Sequence, residues 1–401
     1  MKKKVVIIGV SYSSRLALAR SIGVLGCDIT VVAWASSNKT TKSIDGYSKY
    51  VNRVYYCPKE TDAFISLLKE KCIDPTQKVI LIPDCDFSVA TIDLYRKELQ
   101  QYFIIPHIND SQNSIIDWMD KQKQKLLAQR VGLDVVNSTL IEIKDSKYQI
   151  PQNVHYPCFP KAVSSVSGGK AGMFRCDNEA DLCRALQDVI DRKTVNTKVM
   201  IEDFMEIEKE YALLGFSNGK DVMIPCILQL LVISQSHKGI AAQGKVLPNN
   251  GFEEVLNKFK LFIQLIGYVG LFDIDFYLCE GKIYFSELNL RFGGSGYAVT
   301  KMGVNLPAKY VKFLSEGNVD GPETEITKEV IYVNERMCFD DLCRGFMGFR
   351  EYGKYIKSAD IRFIEDFEDP CPQRAFKKEF VLTIPKIISK KIIKQLCNRK
   401  K

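Results

Sequence analysis

Two segments late in the chain constrain the fold most: Gly270-Leu271-Phe272-Asp273-Ile274-Asp275-Phe276 and Tyr284-Phe285-Ser286-Glu287-Leu288-Asn289-Leu290-Arg291. Both alternate like strands, and Cys279-Glu280-Gly281-Lys282 between them is a glycine-containing hairpin turn. Alternate residues of a strand share a face. Glu287, Asn289 and Arg291 therefore point one way while Leu288 and Leu290 enter the core, and Asp273 and Asp275 share a face in turn. If Cys279 pairs with Ile283 around a three-residue loop, Asp275 lies directly opposite Glu287. Opposed carboxylates repel unless something cationic lies between them. Oxygen ligands from Asp, Glu and Asn suit Mg²⁺, which keeps further positions for phosphate oxygens and water. Either half alone reads as a solvated strand face with an ion pair. Both halves together, followed by Phe292-Gly293-Gly294-Ser295-Gly296, favour a metal centre.

The chain opens on a different pattern. Val5 to Ile8 is a wholly apolar run, Gly9 to Ser14 a small-residue turn, Arg15 to Leu25 a helical stretch and Ile29 to Ala33 a second strand. That is a βαβ unit with a parallel sheet, continued by a helix near Ala63 to Lys71 and a strand Lys78 to Pro83. The turn after the first strand is not G-x-G-x-x-G, which argues against a nicotinamide dinucleotide. From Ile115 the character changes. A polar helix, Asp117 to Val131, carries Lys121 and ends at Gly132, a residue suited to a helix C-terminus.

Two further constellations follow. Tyr156 to Lys161 reads as a strand ending in lysine, before the Ser/Gly-rich stretch Ser164 to Met173. A lysine there can meet phosphate oxygens as a point charge, and such a loop can close over a triphosphate with its backbone N–H groups; a plain hairpin connection explains the loop equally well. It is not a P-loop, since G-x-x-x-x-G-K-[ST] is absent. After a helix around Glu179 to Asp191, the strand Lys198 to Ile201 ends in Glu202 and runs into Met205 and Glu210. That arrangement suits an adenine edge and ribose hydroxyls, although alone it is an acidic loop. Glu210 to Phe216 and Val222 to Ile233 read as antiparallel strands, and Phe252 to Ile266 as a helix.

Bulk properties limit the alternatives. A chain of 401 residues suggests two or three domains. The net charge of +8 gathers at the ends, at Lys2 to Lys4 and from Lys386 to Lys401, rather than as a stripe on a folded domain, so no nucleic-acid partner is expected. Thirteen cysteines, odd in number and without a C-x-x-C pair, read as reduced core residues of a cytoplasmic protein. The apolar start is too short for a signal peptide, and the longest apolar run, Met223 to Ile233, contains Pro225.

Taken in order, these segments resemble the ATP-grasp superfamily, as in the modules of carbamoyl-phosphate synthase, biotin carboxylase and D-alanine ligase. The resemblance spans roughly residues 115 to 315, and D-x(11)-E-x-N-x-R is its most specific element. It implies an α/β and α+β chain in three parts. Residues 1–114 would be a Rossmann-like domain, 115–317 a two-lobed ATP-grasp domain with its small lobe at about 135–200, and 318–401 a C-terminal segment. It further implies that Lys121 and Lys161 contact the nucleotide, and that the mobile loop is Ser167 to Gly172, including Gly168 and Gly169. Glu202 and the backbone near Met205 would meet adenine, and Glu210 the ribose. Asp275, Glu287 and Asn289 would hold Mg²⁺ (or Mn²⁺), as two ions, with Arg291 and Lys161 catalytic. Asp273 fits less closely, as a supporting or substrate-facing residue.

The activity so implied is ligation of a small-molecule carboxylate to an amine through an acyl phosphate, with ATP consumed. A bicarbonate or carboxylate kinase of the carbamoyl-phosphate-synthase kind is the alternative within chemistry, and an ATP-binding regulatory protein the alternative outside it. Beyond Gly317 the only likeness is a faint one to stand-alone carboxylate–amine ligases, D-aspartate ligases among them. In the tail, Ile388, Ile392 and Leu396 recur among lysines. It reads first as a helix packed on its own domain and second as a basic helix in weak contact with an acidic membrane. A homodimer is allowed for.

Overall fold

The computed structural model describes residues 2–35, 42–164, 172–192, 196–317 and 326–398, with side chains as far as residue 385. Strands β1 (Lys4–Gly9), β2 (Asp28–Trp34), β3 (Val51–Cys57), β4 (Val79–Pro83) and β5 (Phe103–Ile104) form a parallel sheet in the order β3-β2-β1-β4-β5. Val5 to Ile8 and Val79 to Ile82 are buried on both faces, which is why they read as continuous apolar runs. The first helix, α1, begins at Tyr12 rather than Arg15 and runs to Gly23, so Ser13 and Ser14 belong to its first turn and not to the small-residue turn before it. Strand order reverses between β1 and β4, where Ile8 pairs with Pro83. In such sheets the crevice beyond the carboxyl ends at the reversal is the natural ligand site.

The expected helix Asp117 to Val131 is two helices, Ser114–Trp118 and Lys121–Arg130. Asp120 breaks it: its carboxylate accepts the N–H groups of Gln122 (2.8 Å) and Lys123 (3.0 Å), an N-cap that starts the second helix at Lys121. After β6 (His107–Ile108) and β7 (Asp134–Val135) come β8 (Ser138–Lys144), β9 (Cys158–Ala162) and β10 (Asn196–Asp203). These last three form an antiparallel sheet in the order β8-β10-β9. The helix Glu179–Arg192 covers that sheet with Leu182, Ala185 and Leu186 against Ile141, Ile143, Val199 and Ile201.

The largest sheet is built from β11 (Lys209–Asn218), β12 (Val222–Met223), β13 (Ile227–Ile233), β14 (Ala241–Leu247), β15 (Tyr268–Cys279) and β16 (Lys282–Asn289). Strands β17 (Val330–Val333) and β18 (Ile361–Arg362) extend it, and its main path runs β18-β17-β14-β13-β11-β15-β16-β7. The segment Val222 to Ile233 is not one strand, because Pro225 has no N–H to donate and the ladder resumes only at Ile227. The helix Glu253–Ile266 packs Phe259, Phe262 and Ile263 onto Phe272, Phe276 and Phe285 of β15 and β16. That cover makes one face of the hairpin apolar and leaves the other for chemistry.

The C-terminal segment returns to α1. Arg20 Nε donates to Asp369 Oδ2 (2.9 Å) and its Nη1 to the Phe363 carbonyl (2.9 Å), all buried. The helix Pro370–Asn398 includes the region expected to be helical, but the side chains of the basic tail lie outside the described residues, as does any membrane contact they would make. Among the described residues no helix is long and apolar enough to cross a membrane. The described cysteines are free.

Candidate active site

In the hairpin β15–β16, Asp275 is in register with Glu287 and Asp273 with Asn289. The route to that register differs from the one expected. Cys279 pairs with Lys282, not Ile283, around Glu280-Gly281, both with positive φ (50° and 71°) as a two-residue hairpin turn requires. The turn is one residue shorter than assumed. A bulge between Asp275 and Phe276 takes up the difference: Phe276 pairs with Phe285, and Ser286 is the extra residue. Leu288 and Leu290 are buried, so Glu287, Asn289 and Arg291 face the other way.

Around this pair the charges interlock. Lys121 Nζ is 3.0 Å from Glu287 Oε2. Asn289 donates its amide to Asp275 Oδ2 at 3.3 Å, leaving its own oxygen available. Arg291 Nε reaches Asp86 Oδ1 at 3.0 Å and its Nη1 lies 3.5 Å from Asp273 Oδ2. Burial, with Asp273 and Glu287 beside it, pushes the Asp275 carboxyl well above the ordinary carboxylate range. Burial also raises Asp273 to about 6, although Arg291 opposes the shift, and one of its buried oxygens has no partner among the described residues. The neighbouring carboxylates hold Arg291 firmly protonated.

On the smaller sheet, Glu202 is only 4 % exposed and sits between two lysines, Lys125 Nζ at 2.5 Å and Lys161 Nζ at 2.6 Å. Its carboxylate anchors these two ammonium groups, which leaves an adenine edge to the backbone from Glu202 toward Met205. Lys161 keeps N–H donors beyond the one given to Glu202, since an ammonium has three. Lys125 was not picked out from the sequence; its place one helical turn after Lys121 was the available signal. Met205 is half-buried on the connection into β11, and Glu210 is half-buried within β11, where it pairs with Tyr277. Ser167, Gly168 and Gly169 lie outside the described residues. Gly172 does not face this site: its N–H donates to Asp188 Oδ2 at 2.7 Å, and a Cβ there would come within 2.4 Å of the Ala185 carbonyl. It is a packing glycine against the helix Glu179–Arg192.

The family model for the ATP-grasp domain matches residues 126–306. This stretch is an ATP-grasp domain. The chain is 24% identical over 325 residues to a formate-dependent phosphoribosylglycinamide formyltransferase of Bacillus subtilis (strain 168), covering 79% of this chain and 80% of that protein. It is 23% identical over 281 residues to a D-aspartate ligase of Enterococcus faecium (strain Aus0004), covering 65% and 64%. Two other matched formyltransferases are covered over less than three fifths of their length. Among solved structures it resembles the biotin carboxylase domain of a Hydrogenobacter thermophilus 2-oxoglutarate carboxylase, in complex with MgADP, ADP and bicarbonate. There the TM-score is 0.64 at 18% identity, over 82% of this chain and 74% of that one.

The acids of this ATP-grasp domain can be tested against a divalent cation. Among the described residues no three or more His, Cys, Asp or Glu side chains form a metal cluster. Magnesium needs no such cage, because it is usually held by one or two carboxylates while phosphates and water complete the shell. Asp275 and Glu287 in register, the Asn289 amide oxygen and the unpartnered Asp273 oxygen suit that chemistry.

A cleft of about 470 Å³ opens beside the ATP-grasp hairpin, between the N-terminal sheet and the large sheet. Its walls include Tyr12, Asp84, Asp86, Asp273, Arg291 and Arg336. Asp84, Asp86 and Arg336 were missed in sequence, because nothing local marks residues brought together across hundreds of positions. The signal that existed was Pro83-Asp84-Cys85-Asp86, acids at the end of a buried strand. Arg336 donates to Asp340 (3.0 Å) and Glu379 (2.8 Å), and His237 lies 2.8 Å from Asp340, closing the far wall.

Proposed function

We propose that this protein is an ATP-dependent carboxylate–amine ligase that forms an amide through an acyl phosphate. The observation that carries the reading is the Asp275–Glu287 pair, flanked by Lys121 at one end and Arg291 at the other. The ATP-grasp match and the named ligase and transferase relatives support it.

In this reading Asp275, Glu287 and Asn289 hold Mg²⁺ (or Mn²⁺), as two ions, which would draw off charge from the triphosphate oxygens. Lys121 and Lys161 contact phosphates, Lys161 oriented by Glu202 together with Lys125. The backbone from Asp203 to Met205 takes the adenine edge and Glu210 the ribose hydroxyls. A substrate carboxylate oxygen attacks the γ-phosphorus, ADP leaves, and Arg291 stabilises the negative charge that gathers on the transferring group. An amine then displaces phosphate from the acyl carbon. The residues between Ser164 and Gly172 are assigned to shielding this chemistry from water, because a free acyl phosphate hydrolyses.

The division into residues 1–114, 115–317 and 318–401 assigns nucleotide binding to the middle part and acceptor binding to the cleft between the first two. The reaction belongs to the cytoplasm, where ATP is at hand. ADP release measured over a panel of amino acids, singly and in pairs, tests the function. Turnover stimulated by a carboxylate with an amine is expected, and a flat response across the panel would sink the reading.

A further inference from the structure

The acceptor cleft contains a carboxylate that the ligation chemistry above leaves unused. Asp84 follows β4 at the point where strand order reverses, and its backbone N–H donates to the Ile8 carbonyl at 2.8 Å. Its Oδ1 accepts the Val10 N–H at 3.2 Å, while its buried Oδ2 has no partner among the described residues. A buried carboxylate oxygen without a donor is costly, so its retention calls for a ligand that supplies one. The backbone is shaped around the group: a Cβ on Gly9 would fall 1.3 Å from Asp84 Oδ1, so only glycine leaves room.

The neighbouring cations are engaged elsewhere. Arg15 gives Nε and Nη2 to Asp45 (2.8 and 3.2 Å) and Nη1 to the Gly9 carbonyl. Arg291 turns to Asp86 and Asp273. Cys85 donates to or accepts from Ser88 at 3.2 Å. Asp84 therefore faces the cleft as an acceptor within reach of the arginine that serves the acyl phosphate.

We propose that Asp84 receives the attacking amine, holding its ammonium form through Oδ2 and taking a proton from it. The proposal rests on the ligase reading and names the nucleophile as a primary amine. One N–H proton passes to Asp84 Oδ2, which frees the nitrogen lone pair. That pair forms the C–N bond as the bond from the acyl carbon to the phosphate oxygen breaks, and the second N–H proton leaves with phosphate. Burial holds the Asp84 carboxyl at about 7, against the pull of Arg15 and Arg291 and with Asp45 adding to the rise. A base poised there exchanges protons efficiently at neutral pH.

The test compares two nucleophiles on full-length protein with Mg-ATP and the best carboxylate from the panel. Hydroxylamine is already uncharged at neutral pH and needs no base, whereas an amino acid amine does. In Asp84→Asn, which keeps an acceptor for Val10 N–H, the ratio of amide to hydroxamate is expected to fall by about 100-fold. The defect should shrink as pH rises and the amine deprotonates unaided, which a purely structural role would not produce. Asp84→Ser, carried in parallel, covers the case in which the asparagine variant fails to fold. An unchanged ratio, or a defect that ignores pH, overturns the proposal. A wild type that yields no hydroxamate with any carboxylate overturns the ligase reading itself, and the proposal with it.

Discussion

Replacing Glu287 by Gln separates a metal ligand from a structural ion pair, because the two roles predict opposite responses. In the resting protein the change removes the Lys121 contact, at 3.0 Å and an effective dielectric near 20 a gross attraction of about 5 kcal/mol. Most of that is offset by no longer desolvating a half-buried carboxylate, so a partly exposed pair of this kind contributes about 1 kcal/mol or less. Asp275, held toward its protonated form by burial and its acidic neighbours, adds little repulsion to relieve. Thermal stability without nucleotide should therefore move by no more than about 1 kcal/mol, roughly 2 °C for a chain of this size. Magnesium dependence should move far more. Loss of one anionic ligand is expected to raise the Mg²⁺ concentration for half-maximal ADP release by about 100-fold, equivalent to about 3 kcal/mol. Mg²⁺ titration of ADP release and thermal unfolding, run side by side, give both numbers. Wild-type magnesium dependence with a large drop in unfolding temperature would refute the assignment.

Glu202→Gln should leave the buried Lys125 without its anion, costing about 3–5 kcal/mol and raising KM for ATP, read from thermal unfolding and initial rates; unchanged stability would show that Lys125 is not charged there. Asp369→Ala should strand the Arg20 guanidinium at a similar cost, and adding Arg20→Leu should restore most of it, giving a double-mutant cycle with a large coupling. For pH, the Asp84 carboxyl rises from an ordinary 3.8 to about 7 on folding, so the folded chain holds a proton the unfolded chain has released. That contribution is full below about pH 4 and lost as pH rises through 7. Wild-type unfolding temperature should therefore decline relative to Asp84→Asn across that window; parallel curves would contradict it.

How far the sequence could be read depended on how local each signal was. The hairpin was legible because period-two alternation and a glycine turn occupy some twenty consecutive residues. Its register was reached through a compensating pair of errors, a turn one residue too long and an unseen bulge at Ser286. β14 went unread because Gly244 interrupts its pattern; the glycine is there to admit the Tyr332 ring, whose hydroxyl a Cβ would meet at 2.3 Å. The break at Asp120 was readable in principle, since an aspartate before Lys121 is an ordinary helix start, but the surrounding polar run masked it. The anchoring of Lys125 and Lys161 by Glu202 was not legible, because the two lysines approach it from other elements. The cleft residues Asp84, Asp86 and Arg336 could not be assembled without the fold, since only the sheet topology places them together.

The clasp between α1 and the C-terminal segment bears on the order in which the protein can be made. Arg20 leaves the ribosome 349 residues ahead of Asp369, which neutralises it. Until then α1 cannot bury that guanidinium without stranding its charge. β14 likewise waits for β17, and in the interval it presents an unpaired edge to other nascent chains. Arg336 and Asp340, which close the acceptor cleft, belong to the same late stretch. The β8–β10 sheet, by contrast, has all its partners within some seventy residues of sequence. A growing chain thus completes its small sheet early and the enclosure for a reactive acyl group last, so an unfinished molecule lacks the pocket in which that group is held.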